Sequence, residues 1–579
     1  MGYKENYLAW LGDDYFDAAT RAELAAIGGD EKEIEDRFFK SLEFGTGGLR
    51  GVIGAGTNRM NIYTVRIATQ GLANYILKSA QNGGERGVAI AYDSRRFSRE
   101  FAEEAAHVLN GNGIKSYIFD ELRPTPMLSF AIRHLGCTAG IVVTASHNPP
   151  EYNGYKAYWE DGAQIPYPRD GEIIKEVNAI TQFSQIKLMP RDEAEKAGLF
   201  NVIGKEVDDA FAANVKAQTV NKALVDKMAG ALNIVYTPIN GSGNKPVRRV
   251  LAELGYKNVH VVPEQENPDP DFTTVGYPNP EDVNVFKLAI ELAKNVGADV
   301  VIGTDPDCDR VGALIKSADG EYAVMTGNMT GALLEEYILT QKRAHNELPA
   351  NAAVVSTIVT TRLAAEIAAS NGAAYFDVLT GFKYIGEKIK EFEHTGEHAF
   401  VFGFEESYGC LAGTYARDKD AVVATMLICE LVAFFKQNGM TLYDGLQELY
   451  KKYGYYKESI QSITLKGVEG LESIKRVMAN LRLNPPKAIG MKKVAVVNDY
   501  LNSVKTNLAD GARQPIALPV SDVLHYTLAD GSWACVRPSG TEPKLKIYFG
   551  VKADSQENAN KALDKLTKAA MALVDGAMK

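Results

Sequence analysis

Asp305-Pro306-Asp307-Cys308-Asp309-Arg310 sets three carboxylates at alternate positions of a short turn. Side chains at that spacing can converge on one point. Unpaired they repel, so a hard divalent cation such as Mg²⁺ or Ca²⁺ is their natural counter-charge. An EF-hand loop begins the same way but needs Gly at its sixth position and Glu at its twelfth. Here those are Arg310 and Lys316, and an apolar strand follows. A strand leading into D-x-D also fits a phosphatase with an aspartyl nucleophile, and a solvated acidic turn is the plain alternative.

Thr144-Ala145-Ser146-His147-Asn148-Pro149-Pro150 carries a second chemistry. A serine at the end of a buried strand is held rigidly, and the adjacent His147 can accept or relay its proton. The paired prolines keep a helix from starting at once. No G-x-S-x-G elbow surrounds the serine, so a hydrolase triad has little support, and a turn-capping serine is the bland alternative.

Arg537-Pro538-Ser539-Gly540-Thr541-Glu542-Pro543, followed by Lys544 and Lys546, brings a guanidinium, hydroxyls and glycine-freed N–H groups together. These are the parts of a phosphate cradle. No G-x-x-x-x-G-K-[ST] segment occurs, so a nucleoside triphosphate is not implied. Gly403-Phe404-Glu405-Glu406-Ser407-Tyr408-Gly409 offers carboxylate and hydroxyl groups suited to vicinal sugar hydroxyls, although read alone an acidic turn explains it better. Lys383 in Thr380-Gly381-Phe382-Lys383, and Arg417-Asp418-Lys419, add cations. Phe44–Gly51 is glycine-rich without a G-x-G-x-x-G fingerprint and reads as a flexible loop presenting Arg50.

The elements that must position these groups are legible as apolar runs ending in polar turns. Residues 87–92 lead into Asp93-Ser94-Arg95-Arg96, and residues 140–145 into Ser146. Residues 232–237 lead into Gly241-Ser242-Gly243, residues 298–304 into Asp305, and residues 398–404 into Glu405. Continuous rather than alternating hydrophobicity marks strands buried on both faces, and ligands gather at the carboxyl ends of such strands. Helical patterns at 285–295, 361–370 and 421–437 lie between them. Strands and helices in alternation predict three α/β units ending near Ile203, Lys316 and Tyr453. A smaller fourth unit follows, with helix 473–481, strands at 492–497, 533–537 and 545–550, and a C-terminal helix.

The 579 residues are too many for one core, and the net charge of −10 argues against nucleic-acid or anionic-membrane partners. Five scattered cysteines without a C-x-x-C pair suit a reducing compartment. With no apolar leader at the N-terminus, a cytoplasmic location is expected.

Taken in this order, T-A-S-H-N-P, D-P-D-C-D-R, G-F-E-E-S-Y-G and R-P-S-G-T-E-P resemble the four loops of the α-D-phosphohexomutase superfamily, the phosphoglucomutases and phosphomannomutases. The segments F-G-T-G-G-L-R-G and Y-A-R-D-K-D look closest to bacterial phosphoglucomutases and phosphopentomutase-like enzymes. The resemblance implies an α/β architecture of four domains around a central cleft: a phosphoserine domain (1–205), a metal domain (206–317), a sugar domain (318–453) and a phosphate domain (454–579). It implies Ser146 as phosphoserine, His147, Lys156 and Arg50 as catalytic helpers, and Asp305, Asp307 and Asp309 as ligands of Mg²⁺ together with the phosphoserine. Arg310, Lys383, Glu405, Ser407 and Lys419 would bind sugar phosphate, and Arg537, Ser539, Gly540, Thr541 and Lys546 would clamp the idle phosphate. Lys546 stands where the family often has arginine, which loses bidentate geometry. The expected reaction interconverts glucose 1-phosphate and glucose 6-phosphate through glucose 1,6-bisphosphate. Mannose and pentose phosphates stand as alternative substrates, and a metal-dependent phosphatase or a non-catalytic sugar-phosphate sensor as rival classes.

Overall fold

Strands buried along their whole length, Val88–Tyr92, Ala139–Val143 and Val300–Thr304, deliver polar turns from two sheets. The computed structural model describes residues 2–44, 48–317, 320–465, 467–539 and 544–578. The chain forms two compact units, Met1–Gly327 with Phe382–Gly403 and Ser407–Leu442, and Asn328–Gly381 with Phe404–Glu406 and Tyr443–Lys579.

In the first unit, strands β1 (Gly48–Val52), β2 (Val88–Tyr92), β3 (Ser116–Phe119), β4 (Ala139–Val143), β5 (Tyr152–Trp159) and β6 (Phe200–Ile203) form one sheet in the order β1-β5-β4-β2-β3-β6. A second sheet uses β7 (Asn233–Thr237), β8 (Asn258–Val261), β9 (Val300–Thr304), β10 (Val311–Lys316) and β11 (Tyr322–Val324), in the order β11-β10-β9-β7-β8. Both sheets are parallel at one end and antiparallel at the other. β4 returns through β5, and β9 through β10, as antiparallel neighbours. Residues 144–151 and 305–310 are therefore the corresponding hairpin turns of two similar sheets. The strands that deliver them, β4 and β9, are buried throughout, as the continuous apolar runs required.

Two features depart from expectation. Gly48–Val52 is an edge strand rather than a flexible loop, with Arg50 opposite Gly154 on β5. Gly154 allows this, because a Cβ there would lie 2.5 Å from the Thr144 carbonyl oxygen and 2.9 Å from that of Leu49. Gly45, Thr46 and Gly47 of the same motif lie outside the described residues. Ahead of it stand three short helices that the patterning did not reveal: α1 (Tyr3–Gly12), α2 (Ala18–Ala26) and α3 (Glu31–Phe38). Asp17 and Asp30 cap the last two, and Trp10, Phe16, Phe38 and Tyr63 join them in one aromatic cluster.

The helix Ala421–Gln437 is buried around its whole circumference as far as Ala433. Glu430, which interrupts its apolar run, accepts the backbone N–H groups of Val220 and Asn221. Among the described residues no single helix is long and apolar enough to cross a membrane.

In the second unit, β12 (Ala352–Thr357) and β13 (Ala374–Val378) pair in parallel around the helix Leu363–Ser370. β14 (Ala399–Phe404), which lies in the first unit as far as Gly403, ends just before Glu405, and β15 (Cys410–Ala412) belongs to the first unit. The C-terminal sheet takes β16 (Tyr455–Thr464), β17 (Ala488–Ile489), β18 (Lys492–Asp499), β19 (Val504–Asn507), β20 (Arg513–Pro515), β21 (Leu524–Leu528), β22 (Trp533–Pro538) and β23 (Lys544–Ala553). Its order is β16-β23-β22-β21-β18-β19-β20, every described pairing is antiparallel, and β17 lies beside β18. The helices Gly467–Leu483 and Gln556–Met578 close its core through Val477, Leu563, Leu566 and Val574. β16, β17, β19, β20 and β21 were not foreseen. β16 reads poorly because it is a half-exposed, polar strand at the sheet's edge.

Candidate active site

Ser146 follows β4 with φ +53°, a left-handed conformation that a serine adopts only when its surroundings impose it. Its Oγ donates to Asp305 Oδ2 at 2.8 Å and lies 3.2 Å from His147 Nδ1. The hydroxyl expected to carry chemistry and the acidic turn thus meet directly. Cys308, in the middle of that turn, is also left-handed (φ +52°), and Asp305 Oδ1 accepts the N–H groups of Asp309 and Arg310 at 3.1 and 3.0 Å.

The three aspartates are buried, and one carboxylate oxygen from each lies within 4.8 Å of the others. Asp307 Oδ1 and Asp309 Oδ1 are buried without a hydrogen-bond partner among the described residues. Native proteins seldom leave such acceptors unmet. An all-oxygen donor set with two unmet acceptors could hold a divalent metal ion, so these residues fit one.

Cations surround the turn. Lys156 Nζ, from β5, donates to Asp307 Oδ2 at 2.8 Å and stands 3.5 Å from Asp309 Oδ2. Lys419 Nζ is 3.1 Å from Asp309 Oδ2, and Arg310 Nε is 3.8 Å from Asp309 Oδ1. Burial, then its neighbours Asp307 and Asp309, push the Asp305 carboxyl well above the usual range. Burial also acts to raise Asp307, but Lys156, the contact with Asp305 and Lys419 together outweigh it and hold that carboxyl well below the usual range. For His147, burial followed by the charges of Arg310 and Arg50 pushes the imidazole well below its ordinary value. Burial and those neighbouring cations thus disfavour the imidazolium form of the ring that lies 3.2 Å from Ser146 Oγ.

Sequence reasoning missed several supports. Thr125 donates its N–H to the Asp307 carbonyl at 2.9 Å and its Oγ1 to Asp307 Oδ2 at 3.0 Å. Tyr158 donates to Asp418 Oδ2 at 2.6 Å, and Asp418 Oδ1 accepts Lys419 Nζ at 3.0 Å, which steers that lysine toward Asp309. Arg95 reaches the serine loop itself. Asp93-Ser94-Arg95 carried a signal, as a polar turn at the end of a buried strand, and Asp418 stood within Arg417-Asp418-Lys419, which was read for its cations.

Lys383 opens the helix Phe382–Thr395, half-buried, with burial lowering its ammonium pKa. Ser407 is half-buried in the first unit. In the second unit, Glu405 is buried and accepts the Gly381 N–H at 2.9 Å. Glu406 accepts Thr357 Oγ1 and Thr360 Oγ1 at 3.3 and 3.4 Å. Burial and then Glu405 raise its carboxyl to about 7, against the charges of Arg537 and Lys546. Those two cations face each other across β22 and β23, and the Ser539 N–H donates to the Lys544 carbonyl at 2.7 Å. Gly540 and Thr541 lie outside the described residues.

Four family descriptions match the chain in order. They are the phosphoglucomutase/phosphomannomutase alpha/beta/alpha domains I (residues 41–184), II (209–319) and III (326–453), and the C-terminal domain (478–567). The phosphoglucomutase of Staphylococcus haemolyticus is 35% identical over 526 residues, covering 91% of this chain and 93% of that one. The open form of the Paramecium phosphoprotein pp63/parafusin, a phosphoglucomutase, superposes with a TM-score of 0.67 at 18% identity, over 93% of this chain and 95% of that one. Aspergillus fumigatus N-acetylphosphoglucosamine mutase, solved with GlcNAc-6P and magnesium, gives 0.51 at 13% identity, over 96% and 99%.

Proposed function

The chain belongs to the phosphoglucomutase/phosphomannomutase family, and from that premise we propose that it interconverts glucose 1-phosphate and glucose 6-phosphate through phosphorylated Ser146. The observation that carries this reading is the 2.8 Å hydrogen bond from Ser146 Oγ to the buried acidic turn, inside a ring of Lys156, Lys419 and Arg310. The domains are read as 1–205 for the phosphoserine, 206–317 for the metal, 318–453 for the sugar and 454–579 for the second phosphate.

In the forward half-reaction a sugar hydroxyl attacks the phosphorus carried by Ser146. The hydroxyl gives up its proton as the new O–P bond forms and the Ser146 Oγ–P bond breaks, and that proton is passed to the freed serine oxygen, giving glucose 1,6-bisphosphate and Ser146 as the free hydroxyl. His147 Nδ1, 3.2 Å from Oγ, is placed to relay that proton, and Lys156 and Arg50 supply positive charge near the transferring group. The bisphosphate reverses, and its other phosphate returns to Ser146. Arg310, Lys383, Glu405, Ser407 and Lys419 are assigned to the sugar phosphate, and Arg537, Ser539, Gly540, Thr541 and Lys546 to the phosphate that does not react. Asp305, Asp307 and Asp309 would hold Mg²⁺, the ion bound by the Aspergillus relative, which supplies charge neutralisation for a phosphoryl group. The partners are small sugar phosphates, without nucleic acid or membrane, and the location is cytoplasmic.

Mass analysis of Ser146 after incubation with glucose 1,6-bisphosphate, paired with Ser146→Ala kinetics, tests the mechanism. The mutase requires a phosphate on Ser146 and near-complete loss in the variant, whereas an aspartyl phosphatase would survive the substitution. Comparing kcat/KM for glucose, mannose and ribose 1-phosphates tests the substrate, and a preference for either of the others overturns glucose.

A further inference from the structure

Asp93 and Arg95, in the turn after β2, have no role in the reaction described above, yet both backbone polar groups of Ser146 lead to them. The Arg95 side chain is fully buried, and its guanidinium donates to four backbone carbonyls, three in the serine loop and one at the start of β5. Nη2 reaches Ser146 O at 2.6 Å and Asn148 O, while Nη1 reaches Pro149 O at 2.8 Å and Tyr152 O at 3.0 Å. On the other side, the Ser146 N–H donates to Thr144 Oγ1 at 2.8 Å, and that hydroxyl donates to Asp93 Oδ2 at 2.6 Å. Asp93 Oδ2 in turn lies 3.4 Å from Arg95 Nε, and Asp93 Oδ1 is fixed by Ser98 Oγ at 2.7 Å and the Arg95 N–H at 3.0 Å.

Two routes, one through the carbonyl and one through the amide, thus close on a single buried ion pair. Phe272 covers its outer side, fully buried, with its ring centroid 5.1 Å from the guanidinium carbon. A serine released from these bonds would relax from φ +53° toward negative φ, and its Oγ would swing away from Asp305.

We propose that Asp93 and Arg95, linked through Thr144 and covered by Phe272, are positioning residues that hold Ser146 in the left-handed conformation from which its hydroxyl can take and give phosphate. The proposal rests on the reading of Ser146 as the phosphate carrier. Its predicted signature is a loss in the chemical step alone, because these residues touch neither the sugar nor its phosphates in the roles assigned above.

The test compares Thr144→Val with Thr144→Ser, and Arg95→Lys with Phe272→Leu. Valine keeps the packing and removes the acceptor for the Ser146 N–H; serine keeps the acceptor and loses the methyl. A lysine cannot serve four carbonyls at once. Displacing a reacting group by about 1 Å can cost roughly 100-fold, so Thr144→Val and Arg95→Lys are expected to lower kcat by about 10- to 100-fold. KM for glucose 1-phosphate stays within about twofold, and phosphorylation of Ser146 by glucose 1,6-bisphosphate slows in parallel. Thr144→Ser keeps near-normal kcat, and Phe272→Leu shows a smaller loss in the same direction.

A packing role would invert the threonine pair, harming serine more than valine, and that result overturns the proposal. So does an unchanged kcat in folded Thr144→Val, or a loss that appears only in KM. If Arg95→Lys fails to fold, the threonine pair and Phe272→Leu decide. Full activity in Ser146→Ala would instead overturn the mutase reading beneath it.

Discussion

Ser146 Oγ donates to Asp305 Oδ2 across 2.8 Å although 159 positions separate the two residues. Each ends or follows a buried parallel strand of its own sheet, and both sheets turn back there through an antiparallel neighbour. The shared geometry of the two turns places a nucleophilic hydroxyl beside a carboxylate cluster. Four consequences can be measured.

Treating the enzyme with excess EDTA should abolish turnover of glucose 1-phosphate, and Mg²⁺ should restore it. Asp307→Asn removes one of the two unmet acceptor sites' charges and should raise the Mg²⁺ concentration for half-maximal activity by roughly an order of magnitude or more. Wild-type turnover in chelator would rule out a metal role for the triplet.

Lys156→Gln removes the ammonium that pairs with Asp307 at 2.8 Å. Loss of one preorganised charge at a transferring group typically costs about 10²- to 10³-fold in kcat, and that range is expected. Steady-state kinetics at saturating Mg²⁺ measure it. A kcat within threefold of wild type would remove Lys156 from the catalytic set.

Glu458 gives the second unit a pH-dependent stability. Burial raises its carboxyl to about 7, against hydrogen bonds from Thr361 and Asn328, the latter at 3.3 Å. A raised carboxyl binds its proton more tightly in the folded state. Its contribution is therefore complete below the ordinary carboxylate value and is lost as pH rises through about 7. Glu458→Gln, always neutral, should gain stability over wild type across that window. The ceiling is about 3 kcal/mol, less whatever solvent screens at a half-buried site. His525 works the other way: burial holds it to about 3, so its contribution is lost as pH falls below the ordinary histidine value. The Glu458→Gln minus wild-type difference in denaturant midpoint isolates the first effect; a difference flat from pH 5 to 8 would refute it.

Trp10→Ala tests whether the N-terminal helices belong to the folded unit. The ring stacks on Phe16 at 4.2 Å and meets Tyr63 edge-on at 5.5 Å. A truncation of this kind costs about 3–5 kcal/mol where the aromatic is part of the cooperative core. Denaturant unfolding followed by far-ultraviolet circular dichroism should show the main transition shifted. An unshifted main transition would mean that α1–α3 unfold separately.

How far the chain could be read beforehand differs from element to element. β2, β4, β7 and β9 were legible because strands buried on both faces leave continuous apolar runs, and the helix Ala421–Gln437 was bounded correctly because Asp420 caps a long apolar stretch. β16 and β1 were not. Edge strands keep one side polar, and their pairing depends on distant partners, β23 and β5. The helices α1–α3, of 10, 9 and 8 residues, are too short for a helical period to stand out, and they pack with Tyr63 and Phe183 from elsewhere in the chain.

Local order alone determined which residue types stand at the ends of which strands: the hydroxyl of Ser146, the aspartates at 305, 307 and 309, and the cations at 537 and 546. Backbone periodicity and turn chemistry act over a few residues, so they are written in neighbouring letters. Only the folded chain decided that Lys156 meets Asp307 across 151 positions, that Asp418 and Tyr158 steer Lys419, and that Arg95 gathers four carbonyls around Ser146. Those contacts arise from buried charges seeking partners through space, a demand that no stretch of sequence expresses until the sheets have packed.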